Sequence, residues 1–189
     1  MSKRGLSYQH LGAATCCCTS LKLVFDLQGV NDSLPISISS EKEDAMSESI
    51  SQVGMRVRGY HLDGYGHVNN ARYLEFMEEG RWAFFDEHPR LIGQLHSAGR
   101  AFVVVNLNID YRAAAVQGDD LQVFTGIVDV GERSALCHHR IIRSDGTLIA
   151  QADLTFVLLD VKDNKAAAIE GEVRDVLQGM VVAKESFTP

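Results

Sequence analysis

One helical run, followed by a succession of alternating runs, is the feature that most restricts this chain. Between Asn69 and His88 (NNARYLEFMEEGRWAFFDEH), Tyr73, Met77, Gly80 and Phe84 recur at helical spacing, flanked by Leu74, Arg81 and Phe85. From Val103 onward the period is two. Val103, Val105, Leu107, Ile109 and Tyr111 alternate with Val104, Asn106, Asn108, Asp110 and Arg112, and residues 121–130, 134–143 and 147–161 repeat the theme. Asn69 or Asn70 is a natural helix N-cap, and Pro89 reads as a stop. Gly80 is costly inside a helix, which predicts that another backbone passes close to it. A single apolar stripe needs an apolar sheet face to cover it. The pattern therefore predicts an α+β fold, a curved antiparallel β-sheet wrapped around one long central helix.

Around this core, residues 55–62 alternate briefly like a short strand, residues 91–96 form a second short helix, and residues 169–182 form a terminal helix. Gly131-Glu132 and Asp145-Gly146 read as hairpin turns, the latter of type I′. The four later strands then form a meander. Its exposed edge strand predicts pairing with a second copy, as a homodimer or a homotetramer.

The first 45 residues behave differently. No period is sustained there, residues 33–45 (SLPISISSEKEDA) have linker composition, and the reading is a poorly structured N-terminal extension (1–45) ahead of one domain (46–189). Met46 opens a stretch that suits the start of a compact protein, so a start there rather than at Met1 is an expectation. Cys16, Cys17 and Cys18 are adjacent, which suits neither a mutual disulfide nor a zinc half-site. Eighteen Lys and Arg against 25 Asp and Glu give a net charge of -7, so no nucleic-acid partner is expected. No apolar run is long enough for an integral membrane segment, and the protein reads as cytoplasmic.

The densest chemistry lies between the first strand and the long helix, in YHLDGYGHVNN (60–70). Asp63 is a carboxylate set directly before two glycines and a helix N-terminus, whose unpaired N–H groups favour a developing negative charge. Asp63 can act as base or nucleophile while the backbone from Gly66 to Asn69 holds an oxyanion; equally, Asp63 can simply cap the turn and Asn69 the helix. His67 is a rival base, more often a loop-orienting residue. His138 and His139 are neighbours on a strand and point to opposite faces, so no metal is expected.

The stretches RVRGYHLDGYGHVNNARYLEFMEEGRW, AFVVVNLNIDYRAAAVQGDDL and IEGEVRDVLQGM span most of residues 55–180. They resemble the thioesterase subfamily of hotdog proteins related to 4-hydroxybenzoyl-CoA thioesterase, and within it the bacterial long-chain acyl-CoA thioesterases of fatty-acid degradation. The resemblance implies a hotdog fold, no cofactor, and hydrolysis of medium- to long-chain acyl-CoA. It implies Asp63 as the catalytic carboxylate, with Gly66, His67, Val68 and Asn69 as oxyanion or loop support. Tyr73 corresponds to an aromatic residue of the family's first helical turns, and Tyr73, Arg100 and Arg112 are candidates for substrate binding, the two arginines through the CoA phosphates. Arg112-Ala113-Ala114 departs from the Arg-Pro often found there. A hydratase or dehydratase, and a non-catalytic acyl-CoA-binding protein, are the alternative readings of such a scaffold.

Overall fold

The computed structural model describes residues 49–187, so the N-terminal extension lies outside the described residues. The elements run β1 (Ile50–Arg56), α1 (Asn70–Asp86), α2 (Pro89–Ser97), β2 (Arg100–Tyr111), β3 (Asp120–Val130), β4 (Ser134–Arg143), β5 (Leu148–Asp160), β6 (Lys165–Ala166) and α3 (Gly171–Gly179). Antiparallel strands form one sheet in the order β1-β3-β4-β5-β2, and β6 pairs with the end of β5. This is the expected α+β hotdog arrangement, with α1 packed on one face of the sheet.

Why α1 sits there is legible in its sequence. Tyr73, Phe76, Met77, Gly80 and Phe84 are its buried residues, matching the stripe with Phe76 added. At Gly80 the helix lies so close to β3 that a Cβ would stand 2.5 Å from Thr125 Oγ1 and 2.8 Å from Val123 Cγ1. Only glycine fits. Asn69 caps the helix by accepting a hydrogen bond from the N–H of Ala71 at 3.0 Å. Pro89 opens α2 as its first residue rather than merely ending α1, since a missing N–H costs nothing there.

Four expectations change in detail. The first strand ends at Arg56, and Gly59–His61 form a 3-10 turn in which Arg58 N–H donates to His61 Nδ1 at 3.0 Å. The strands from β2 onward are not a four-strand meander: β3, β4 and β5 are joined by hairpins, whereas β2 crosses to the far side of β5. The Asp145-Gly146 turn is not type I′, which requires positive φ at both residues. Only Gly146 has it (φ 85°), with Gly146 N–H donating to Arg143 O and Arg143 N–H to Thr147 O. The terminal helix stops at Gly179, because Val182 N–H is taken by Ile127 O of β3 at 2.9 Å.

β2 departs furthest from its sequence pattern. Register passes from Val104↔Phe156 to Asn106↔Thr155, so Val105 is a bulge that opposes no residue. The bulge exchanges faces. Leu107 and Ile109 pack towards the core as expected, but ahead of the bulge Phe102 packs inward while Val103 and Val105 are exposed. β2 also has an unpaired edge among the described residues, carrying an exposed run of three valines.

Gly80→Ala tests the helix–sheet approach. Against a gain in helix propensity of about 1 kcal/mol, the added methyl must displace Thr125 and Val123, and overpacking of this kind costs about 1–3 kcal/mol. We expect thermal unfolding a few degrees below that of the parent protein; an unchanged or raised midpoint would show that the contact yields freely.

Candidate functional site

The loop between β1 and α1 is closed by its own hydrogen bonds. Leu62 and Val68 form an antiparallel bridge, and Asp63 N–H donates to His67 O at 2.8 Å. Asp63 Oδ1 accepts from Tyr65 N–H at 2.8 Å and, more weakly, from His67 N–H at 3.3 Å. Gly66 stands at φ 80°, a conformation that favours glycine, and its N–H returns to Asp63 O at 3.2 Å. His61 braces the loop from below: its carbonyl accepts Asn69 N–H at 2.9 Å, and its ring packs edge-on against Phe76. Burial and the Arg72 charge hold the His61 imidazole below its ordinary range.

A second segment, 112–116, fastens this loop to the sheet. Val68 N–H donates to Ala115 O at 2.9 Å, His67 bridges Val116, and Arg112 and Ala113 both donate to Ile149 O. Between loop, helix start and this segment lies a cleft of about 300 Å³, whose lining includes Asp63, His67, Asn70, Tyr73, Tyr111 and Arg112. Asp63 is half-buried in its wall, and His67 is exposed at its rim.

The expected site residues thus fall into separate groups. Asp63, His67, Val68, Tyr73 and Arg112 meet in the cleft. Gly66 and Asn69 shape the loop and cap the helix. Arg100 is remote: it starts β2 and pairs with Asp160 at 2.9 Å, some eleven residues from Tyr111, or roughly 36 Å of extended strand. The backbone N–H groups of Gly66, His67, Val68 and Asn69 all have acceptors within the fold. The N–H of Asn70, first residue of α1, has none among the described residues, and Asn70 lines the cleft.

Asn70 and Tyr111 therefore line the candidate site as well, though the sequence offers Asn70 only as a helix cap and Tyr111 only as a strand residue. An N-cap at Asn69 already implies a free N–H at residue 70, so Asn70 was recoverable. Tyr111 was not, because its place depends on β2 crossing to the far edge.

The two histidines of β4 do point to opposite faces. His138 Nδ1–H donates to Asp153 Oδ1 at 2.7 Å on one face. On the other, His139 is fully buried under α1, with Nδ1 bonded to Thr125 Oγ1 at 2.9 Å and Nε2 3.6 Å from Cys137 Sγ. Burial drives its pKa down to about 3, helped by the charge of Arg81, and burial likewise pushes the Cys137 thiol up to about 12. Both groups are neutral across the physiological range. Among the described residues no three His, Cys, Asp or Glu side chains converge as metal ligands, and no helix is long and apolar enough to cross a membrane.

A family model described as the thioesterase-like superfamily matches residues 57–177. The chain belongs to that superfamily. It is 44% identical over 131 residues to the long-chain acyl-CoA thioesterase FadM of Escherichia coli (strain K12), a match spanning 69% of this chain and 98% of that protein. It is 27% identical over 124 residues to the acyl-CoA thioester hydrolase YbgC of E. coli O157:H7, spanning 66% and 92%. Among solved structures, the probable thioesterase YbaW of E. coli superimposes with a TM-score of 0.62 at 41% identity, covering 70% of this chain and 99% of that one. The protein is accordingly a thioester hydrolase of the hotdog fold.

The buried imidazole sets a pH dependence. Unfolded, His139 takes a proton near pH 6.5; folded, it refuses one until about pH 3. Between those values the unfolded chain binds more protons, so stability is complete above the window and falls as pH drops through it. We expect the urea midpoint to fall between pH 7 and pH 4, and to fall less in His139→Gln; equal slopes would show that His139 does not contribute.

Proposed function

We propose that the protein hydrolyses acyl-CoA thioesters of medium to long chain to fatty acid and CoA, with Asp63 as the catalytic carboxylate. The observation that carries the reading is the half-used carboxylate of Asp63. Tyr65 and His67 N–H groups hold Oδ1, whereas Oδ2 has no partner among the described residues, and Asn70, whose N–H has no acceptor among them either, lines the same cleft. A base or nucleophile needs a fixed but unsaturated oxygen next to an oxyanion donor, and this pair supplies both.

In the general-base route a water oxygen bonds to the thioester carbon while its proton passes to Asp63 Oδ2. The carbonyl oxygen, now an anion, receives the Asn70 N–H at the positive end of α1. Collapse breaks the C–S bond, and the Asp63 proton goes to the departing thiolate. In the nucleophilic route Oδ2 bonds to the carbon directly, expels the thiolate, and water then cleaves the mixed anhydride. Tyr73 and Arg112 line the same cleft, and Arg112, paired with Asp110 yet more than half exposed, suits a CoA phosphate.

Chain length is argued from the α1–β2 seam. A smaller pocket of about 160 Å³, lined mainly by Trp82, Phe85, Phe102, Val104, Leu154 and Phe156 with Glu78 and Arg81 beside them, opens further along the same helix and strand. From Tyr73 to Phe85 the helix advances about 18 Å; at roughly 1.2 Å per bond of extended chain, an acyl group of a dozen or more carbons spans the interval. The exposed Val103–Val105 edge supports a dimer formed by pairing two β2 strands.

Thiol release from acyl-CoAs of two to eighteen carbons tests the reading. We expect a maximum at medium to long chains and a loss of at least a hundredfold in Asp63→Asn with folding retained. Near-normal turnover in that variant removes Asp63 from its role. Hydration of an enoyl-CoA without thiol release points to the hydratase reading, and binding without either reaction to the sensor. Single-turnover reaction in oxygen-18 water separates the two routes, since label entering Asp63 requires the nucleophilic one. Light scattering should return at least a dimeric mass; a monomer would exclude β2 pairing.

A further inference from the structure

Tyr73 is nearly fully buried, yet it lines the cleft, and its hydroxyl is already engaged. Ala115 N–H donates to Tyr73 Oη at 3.2 Å. Ala115 is itself wholly buried, and its carbonyl accepts Val68 N–H at 2.9 Å. From there the connections run straight to the catalytic loop: His67 bridges Val116, and His67 O accepts Asp63 N–H at 2.8 Å.

We propose that Tyr73 is a positioning residue for the hydrolysis, which acts on Asp63 through Ala115 and Val68 rather than by touching the substrate. The inference rests on the reading of Asp63 given above. Two physical points support it. First, no other described group accepts the Ala115 N–H, and a buried N–H without an acceptor is costly, so without the phenol oxygen the 113–116 segment must shift to find one. Second, the end of β2, which leads directly into that segment, is tied to the start of α1: Tyr111 hydroxyl donates to Asn70 O at 3.2 Å, and the Tyr73 and Tyr111 rings lie 5.5 Å apart. A shift of the segment therefore reaches both Asp63 and the residue that carries the free N–H. Displacements of about 1 Å at a reacting group can cost a hundredfold in rate.

The test is Tyr73→Phe in the full chain, which keeps the ring in its apolar setting beside Phe76 and removes only the oxygen. Steady-state thiol release should show kcat reduced ten- to hundredfold with KM for the acyl-CoA within twofold. Amide exchange should quicken at Asp63, His67, Val68 and Ala115, and stay as in the parent across β3, β4 and β5. An unchanged kcat overturns the proposal, as does a rise in KM at constant kcat, which would make Tyr73 a substrate contact. Faster exchange throughout the sheet also overturns it, because the loss is then general destabilisation. Asp63→Asn is run alongside: if it retains activity, the reading of Asp63 fails, while the exchange pattern still reports whether Tyr73 anchors the loop.

Discussion

The close approach of α1 to β3 at Gly80 is the contact on which the rest of the molecule depends. It brings the helix down onto Val123 and Thr125, which fixes how deeply its stripe sinks and hence where its N-terminus emerges. Thr125 in turn is hydrogen bonded to His139, so the same contact roofs over the buried neutral polar groups of β4. A side chain at position 80 must push Thr125 and Val123 aside, and one too large for that lifts the helix. The Asp63 loop, tied to the helix through the Asn69 cap and to the sheet through Ala115, would lose its alignment at both ends.

The opposite face of the sheet is closed by the chain's end. Phe187 is fully buried against Gly126, where a Cβ would stand 2.9 Å from its ring, and Arg140 holds its carbonyl at 2.7 Å. Lys184 and His138 share the carboxylate of Asp153, at 2.6 and 2.7 Å. Burial works to raise the pKa of that acid, but the two bonds outweigh it and hold it below the usual carboxylate range. β3 thus places two consecutive residues, Thr125 and Gly126, under α1 on one face and under the C-terminal segment on the other. This two-sided cover explains why β3 and β4 are buried along most of their length, whereas β2, at the edge, is not.

What could be read in advance follows from the range of the interactions involved. The α1 stripe, its Asn69 cap, the demand at Gly80 and the strands β3 to β5 are local periodicities or local steric needs, and the sequence carries them nearly to the residue. Strand order is not local. Nothing in residues 103–111 distinguishes a meander neighbour from a strand that crosses to the far edge, and the valine run at 103–105 hides a bulge because every residue in it is apolar. The site divides in the same way. Spacing marks Asp63 and the glycines after it as a reactive-looking turn but leaves Asp63 equally a turn cap, and it is the resemblance that favours the carboxylate reading. Tyr111 and the Ala113–Ala115 segment join the cleft only through the crossover. Tyr73 was legible as a residue of the site, but its link to Ala115 depends on where the segment after β2 returns.

Position in this network also singles out Asp63 among the nearby acids. Asp110 is taken up by Arg112 and Gln151, Asp119 by the Val116 N–H and Arg143, and Glu75 by Arg72. Each is a neutralised structural charge, and drawing one into proton transfer would mean breaking its pair. Asp63 is held instead by backbone N–H groups acting on a single oxygen. Such bonds orient a carboxylate without placing a cation against it, so the second oxygen keeps its capacity to accept a proton or attack carbon. A loop that fixes an acid by its own backbone can leave that acid reactive, and Gly66, at φ 80°, is what allows the chain to turn tightly enough to do so.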